Sequence, residues 1–330
     1  MTTRTDLPQN VQLPQATEPR NRGVPLDLSW VRSVQANTSA IERRVATLPG
    51  RRSIKKEYQA AWLCRAISCM DLTTLSGDDT TGRVNRLCSK AKHPVRANLL
   101  GALDMQGLTV GAVCVYHDMI AAAVAALQGT GIPVAAVSTG FPAGLSPFRL
   151  RVAEIEESVA AGASEIDIVI SRRHVLTGDW QALYDEVQAF RAACGPAHIK
   201  AILATGELGS LRNVARASVI AMMAGADFIK TSTGKESVNA TLPVTLVMLR
   251  AIRDFHAQTG FRVGYKPAGG ISRARDALMY LALIKEELGD AWLRPELFRF
   301  GASSLLGDIE RQLEHHVTGS YSAGWRHAAG

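Results

Sequence analysis

No apolar run in this chain of 330 residues approaches the ~20 consecutive positions that a bilayer span requires. The opening residues, MTTRTDLPQN, also lack the apolar stretch of a secretory signal. Both absences lead to the expectation of a soluble, cytoplasmic protein. Cysteine is sparse: Cys64, Cys69, Cys88, Cys114 and Cys194 are odd in number and scattered, with no CxxC and no paired Cys/His spacing. That pattern excludes a disulfide framework and a structural zinc site. Histidine offers no better metal set, since the adjacent His315 and His316 would point about 100° apart on a helix and chelate poorly. Neither a metal nor a cofactor is expected. No GxGxxG follows any early strand-like run, which argues against an open dinucleotide-binding sheet. Net positive charge is scarce beyond residue 60, where the two signs nearly balance: residues 1–60 carry ten Lys/Arg against five Asp/Glu, so +5 of the net +7 lies in them. Its basic segment, RRVATLPGRRSIKK, has no interleaved aromatics and no recognisable binding motif, so it reads as a solvated face and no nucleic-acid partner is expected.

What is present is a large apolar content, 47% of residues, and a repeating plan. Residues 1–25 hold four prolines with no periodicity and read as a disordered or loosely attached tail. Residues 26–68 read as a helical extension, clearest from Arg52 to Ser68, where Trp62, Leu63, Ala66 and Ile67 form an apolar face. From there a short apolar run ending in small or polar residues alternates with a helix-length segment. The runs are SCMDLTTL, GAVCVY, IPVAAVSTG, SEIDIVI, HIKAILAT, DFIKTSTGK, FRVGYKPAGG and LFRFGASS. Eight such units predict a (β/α)8 TIM barrel over residues 69–318 with additional N-terminal helices and a flexible tail over 319–330.

In such a barrel the C-terminal strand ends converge on one mouth. Those ends carry Asp71, Thr73, Cys114, Asp167, Lys200, Thr205, Lys230, Lys266, Gly301, Ser303 and Ser304. Asp167 lies in the apolar run Ile166–Ile170, where an unpaired carboxylate is costly, so it needs a cationic partner or a task. Lys200 and Lys266 could serve as such partners in a purely structural network. Lys230, however, ends an apolar run, where loss of hydration lowers an ammonium's pKa and exposes a nucleophilic amine. A second lysine held close, Lys266, would lower it further, each charge disfavouring the other. The hydroxyls, glycines and lysine of Thr233, Gly234 and Lys235 suit a phosphate, as do the turns at Gly269, Gly270, Gly301, Ser303 and Ser304. Barrels often bind phosphate after strands seven and eight.

The motifs MDLTTL, AVCVY, EIDIVI, ATGEL, DFIKTSTGK, VGYKPAGGI and FGASSLL, in that order between about Asp27 and Gly319, closely resemble the deoxyribose-phosphate aldolases. LDLSW, the Leu-Ser-Gly-Asp-Asp segment and RHVLTGDW look like the longer, animal-type branch. The resemblance implies a metal-independent class I aldolase that reversibly cleaves 2-deoxy-D-ribose 5-phosphate to D-glyceraldehyde 3-phosphate and acetaldehyde, in deoxyribonucleoside catabolism. It implies Lys230 as the Schiff-base lysine, Lys266 as the group that perturbs its pKa and assists proton transfer, and Asp167 as proton donor and acceptor. It also implies that Asp71, Thr73 and Cys114 line the substrate pocket, that Lys200 stands close to the catalytic set and that Ser303 and Ser304 belong to the phosphate site. Thr205 is included among the expected substrate contacts, and a homo-oligomer is admitted. Two departures stand out. Some relatives use a C-terminal tyrosine as a mobile proton relay, a role not assigned here to Tyr321, and His117 replaces a proline usual after the second strand.

Two alternatives remain at this level. One is another Schiff-base sugar-phosphate aldolase or a transaldolase. The other is a non-catalytic barrel scaffold that uses its basic N-terminal region.

Overall fold

The computed structural model describes residues 19–327. Four helices come first: α1 (Leu28–Ser33), α2 (Thr38–Ala46), α3 (Leu48–Arg51) and α4 (Lys56–Ser68). The barrel then begins with β1 (Met70–Thr73), α5 (Thr81–Lys92), α6 (Ala97–Ala102), β2 (Ala112–Val115), α7 (Ile120–Leu127) and β3 (Val134–Ser138). It continues through α8 (Phe148–Ala160), β4 (Glu165–Val169), α9 (Arg172–Thr177), α10 (Trp180–Ala193), β5 (His198–Ile202) and α11 (Leu211–Met223). The last elements are β6 (Phe228–Lys230), α12 (Leu242–Thr259), β7 (Gly264–Lys266), α13 (Ala274–Leu288), β8 (Phe300–Ala302) and α14 (Leu305–Thr318). All eight expected strands are present.

Every neighbouring pair of strands from β7 through β1 to β8 is parallel. Bridges from Tyr265 to Phe298 and from Ala268 to Gly301 join β7 to the β8 segment and complete the (β/α)8 ring. Side chains alternate across each strand. Leu72, Val113, Ile166, Ile168, Ile199, Ala201 and Ile229 join the aliphatic layer shared with the surrounding helices. Inside, Cys114, Ala135, Val137, Phe141, Val169 and Ile202 form a separate apolar cluster. The charged residues of β1, β4, β5, β6 and β7 share the interior with it. Glycine is required at Gly264 of β7, where a Cβ would overlap the Phe228 ring.

The tail expected over residues 1–25 is anchored in its described part. Residues 1–18 lie outside the described residues, but Arg20 pairs with Asp227 at 2.9 Å, and buried Asn21 bonds the carbonyls of Met222 and Ala226 at 2.8 and 2.9 Å. These bonds satisfy polar backbone at the bottom of the barrel and hold the segment in place. The C-terminal stretch is likewise anchored within its described part. His327 contacts Glu314 at 3.1 Å and Ser322 at 2.7 Å. Helices α5 and α6 fill the interval between β1 and β2. Among the described residues, no helix is long and apolar enough to cross a membrane.

Candidate active site

Parallel pairing decides which charged residues meet. Lys230 and Lys266 are Cα partners across β6 and β7, and Asp167 and Lys200 are partners across β4 and β5. The sequence reading set all these residues at strand ends. Asp71, Asp167 and Lys200 instead stand within their strands, fully buried, because each strand enters the barrel before its polar residue. Lys230 and Lys266 do end theirs.

Asp167 is the hub. Its Oδ2 accepts from Lys230 Nζ at 2.7 Å and from Lys266 Nζ at 2.8 Å, while its Oδ1 accepts from Lys200 at 3.1 Å. Lys266 also contacts Asp71 Oδ2. Burial opposes charge on every one of these groups, and the neighbours decide the outcome. Burial would raise Asp167, yet Lys200, Lys230 and Lys266 hold it well below the ordinary carboxylate range. Burial would lower Lys266, yet Asp167 and Asp71 raise it above the usual lysine value. Lys230 goes the other way: burial lowers it, Asp167 opposes, and the Lys266 charge lowers it again. The mutual lowering expected of two adjacent lysines is therefore one-sided, since only Lys266 has a second carboxylate. Burial pushes the Cys114 thiol up to about 11, so it is a neutral wall of the interior.

Above this cluster opens a cleft of about 680 Å³. Lys230 is the one member of the hub that lines it, together with Thr73, Thr233, Gly234, Lys235, Gly269, Gly270, Gly301, Ser303 and Ser304. Asp71, Cys114, Asp167, Lys200 and Lys266 do not reach its walls; they form the floor and the layers beneath. Thr205, in the turn after β5, is buried and outside the lining. Tyr321 is 78% exposed and stacks on His315, away from the cleft lining.

The match to known proteins agrees with this geometry. The model of the DeoC/LacD family aldolases matches residues 65–308. The chain belongs to that family. Over 306 residues it is 63% identical to the deoxyribose-phosphate aldolase of Mus musculus, covering 92% of this chain and 96% of that protein. Among solved structures, a putative deoxyribose-phosphate aldolase from Toxoplasma gondii ME49 matches at TM-score 0.69 and 22% identity, over 79% of this chain and 97% of that one. The deoxyribose phosphate aldolase from Aeropyrum pernix, described as a tetramer, matches at TM-score 0.59 and 20% identity, over 84% and 99%. At those identities the structures speak for the barrel.

This DeoC/LacD aldolase carries several site features that reading by motif missed. The amides of Thr233 and Gly234, expected to be free for an anion, are taken by Glu236, whose carboxylate accepts them at 3.0 and 3.1 Å and also accepts Thr233 Oγ1 at 2.8 Å. The acidic residue follows the glycine turn by two positions, and that spacing is the signal that could have revealed it. Anion-binding groups that stay available around the cleft are the Lys235 ammonium, the Gly269 and Gly270 turn and the start of α14 at Ser303 and Ser304. Arg83 and Lys90 also line the cleft from α5, whereas the expected site residues were drawn from the strand ends alone. Buried Glu165 and Arg299 join the layer below. The Oγ atoms of Thr205 and Ser232 are buried without a hydrogen-bond partner among the described residues, which suits them to a bound polar ligand.

Proposed function

We propose that this family member reversibly cleaves 2-deoxy-D-ribose 5-phosphate to D-glyceraldehyde 3-phosphate and acetaldehyde through a Schiff base on Lys230. The observation that carries this reading is that Lys230, alone of the buried lysines, both faces the cleft and has its pKa lowered. As a free amine it attacks the aldehyde carbon of the open-chain sugar. Loss of water from the carbinolamine gives the imine, which withdraws electrons as the C2–C3 bond breaks. Asp167, in hydrogen-bond reach of the Lys230 nitrogen, is placed to move protons in carbinolamine formation and at the acetaldehyde-derived carbon. Lys266 holds the positive charge that keeps Lys230 neutral and orients Asp167. At the other end of the cleft, Lys235, the Gly269–Gly270 turn, Gly301, Ser303 and Ser304 take the phosphate. Thr73 and Thr205 are assigned to the sugar, with Asp71, Cys114 and Lys200 supporting from below.

The wider reading is a cytoplasmic enzyme of deoxyribonucleoside catabolism, supported by five cysteines that are all free and buried. A homo-oligomer is included, which light scattering on the purified chain would decide. Borohydride reduction in the presence of deoxyribose 5-phosphate or acetaldehyde, followed by peptide mass mapping, tests the chemistry. The adduct is expected on Lys230 and should be absent from Lys230→Ala. An adduct on Lys266 or Lys200 would overturn the assignment, and no adduct would end the mechanism. Acceptance of acetaldehyde as donor separates this activity from a transaldolase.

A further inference from the structure

Beneath the cleft, two buried residues with no place in the steps above, Glu165 and Arg299, complete a closed circuit. Arg299 donates to Glu165 Oε1 at 2.8 Å, and Lys200 donates to Glu165 Oε2 at 2.6 Å and to Asp167 Oδ1 at 3.1 Å. Lys266 donates to Asp167 Oδ2 at 2.8 Å and to Asp71 Oδ2, and Asp71 Oδ1 returns to Arg299 at 2.6 Å. Read around, the signs alternate: Arg299, Glu165, Lys200, Asp167, Lys266, Asp71. Three cations meet three carboxylates, every member is at most 6% exposed, and each touches at least two of opposite sign, with Lys200 and Asp71 also 3.9 Å apart across the ring.

Lys230 hangs from this ring at Asp167 and is the seventh charge. The ring is neutral without it. Of the other elements around it, β2 contributes the neutral Cys114 thiol and β3 the apolar Ala135 and Val137. Burial lowers the pKa of His198 at the bottom of β5 and favours the uncharged imidazole, which also feels the Arg20–Asp227 pair together with Glu165 and Lys200 of the ring. Among the described residues, Asp167 is the carboxylate that pairs with Lys230, and no second one joins it.

We infer that Glu165 and Arg299 are positioning residues that hold the ring at charge balance and so make Lys230 the group that gives up its proton. Neither lines the cleft, so they act through Asp167, Lys200, Lys266 and Asp71. Losing Arg299 leaves the ring one unit negative, which favours the Lys230 ammonium. Losing Glu165 leaves it one unit positive, which favours the free amine. The inference rests on Lys230 being the nucleophile.

The test is the pH dependence of acetaldehyde trapping by borohydride in the full chain. Arg299→Gln should move the midpoint up by about one unit, cutting trapping about tenfold on the acid side. Glu165→Gln should move it down by a similar amount. The double variant, balanced again, should return close to the original midpoint, and Arg299→Lys should restore it. Unmoved midpoints in folded single variants, or shifts of the same sign, would overturn the inference. A measurement on the unaltered chain covers variants that fail to fold: side-chain NMR of 13C,15N-lysine should show Lys230 titrating while Lys200 and Lys266 stay charged. Deprotonation of Lys200 or Lys266 first would also overturn it. Absence of any Lys230 adduct in the unaltered chain would instead remove the nucleophile assignment, leaving the NMR to judge the charge ring.

Discussion

Lys230 and Lys266 face each other as Cα partners on β6 and β7, and their amino groups meet on one oxygen, Asp167 Oδ2, at 2.7 and 2.8 Å. The same contact has opposite effects on the two. Lys266 gains a second carboxylate in Asp71 and keeps its proton, whereas Lys230 shares Asp167 with two other cations and is inclined to lose its own. In the proposed mechanism, this asymmetry separates the nucleophile from its charged neighbour.

Replacing the shared anion should split binding of the aldehyde from turnover. Asp167→Asn removes the carboxylate that favours the Lys230 ammonium, so imine formation should extend to lower pH. Proton transfer at the acetaldehyde carbon should fall by roughly 10²–10⁴-fold. Trapping of acetaldehyde together with hydrogen exchange at its methyl group reads both. Undiminished exchange would show that another group carries the proton. Lys230→Met, by comparison, should abolish trapping and lower cleavage by on the order of 10⁴-fold or more.

Lys235 lines the cleft at the end proposed for the phosphate, with Nζ 3.3 Å from the Leu75 carbonyl. Lys235→Met should raise KM for deoxyribose 5-phosphate by about 10–100-fold, the worth of one charge-assisted contact. Turnover of unphosphorylated deoxyribose should hardly change. An equal loss on both sugars would place Lys235 elsewhere in the reaction.

The buried carboxylates also make a prediction for acid. Burial opposes their charge, but Asp71, Glu165 and Asp167 are all held below their ordinary values by the lysines and Arg299. A depressed folded pKa stabilises the fold fully above the unfolded value of about 4, and that stabilisation is lost as pH falls through the folded value. The contribution of this cluster should therefore stay constant from neutral pH down to about 4 and decline below it. Urea midpoints followed by tryptophan fluorescence would show this, and a decline already complete at pH 5 would contradict it.

Gly264 precedes Tyr265 and Lys266 in β7, with the Phe228 ring filling the space its side chain would need. Gly264→Ala should cost about 1–3 kcal/mol through overpacking and displace Phe228 or β7. A melting temperature unchanged from the parent chain would mean that the interior yields more easily than its packing implies.

Much of the molecule can be read from the sequence because the relevant signals are local. Eight short apolar runs alternating with helical segments predict the barrel, and FIKTSTGK, EIDIVI and GYKPAGG bring the decisive lysines and aspartate to strands. Where local reading went astray, the determining contact is distant or belongs to a neighbouring loop. Arg20 and Asn21 look like tail until Asp227 and the end of α11 are folded against them. Glu236 looks like a solvated acid until the turn brings it onto the amides of Thr233 and Gly234.

By itself, then, the sequence determined the barrel, the inventory of ionisable groups and the strands that bear them. Only the tertiary structure decided that the lowering between the two lysines is one-sided, with Lys266 kept charged beside Lys230. That outcome depends on contacts between residues 63, 99, 195 and 228 positions apart, which join Asp167 to Lys230 and Lys266, and Asp71 to Lys266 and Arg299. Coulomb energies follow distance in space and the local dielectric. Neither is defined for these residues until the strands close into a ring and exclude water from its centre.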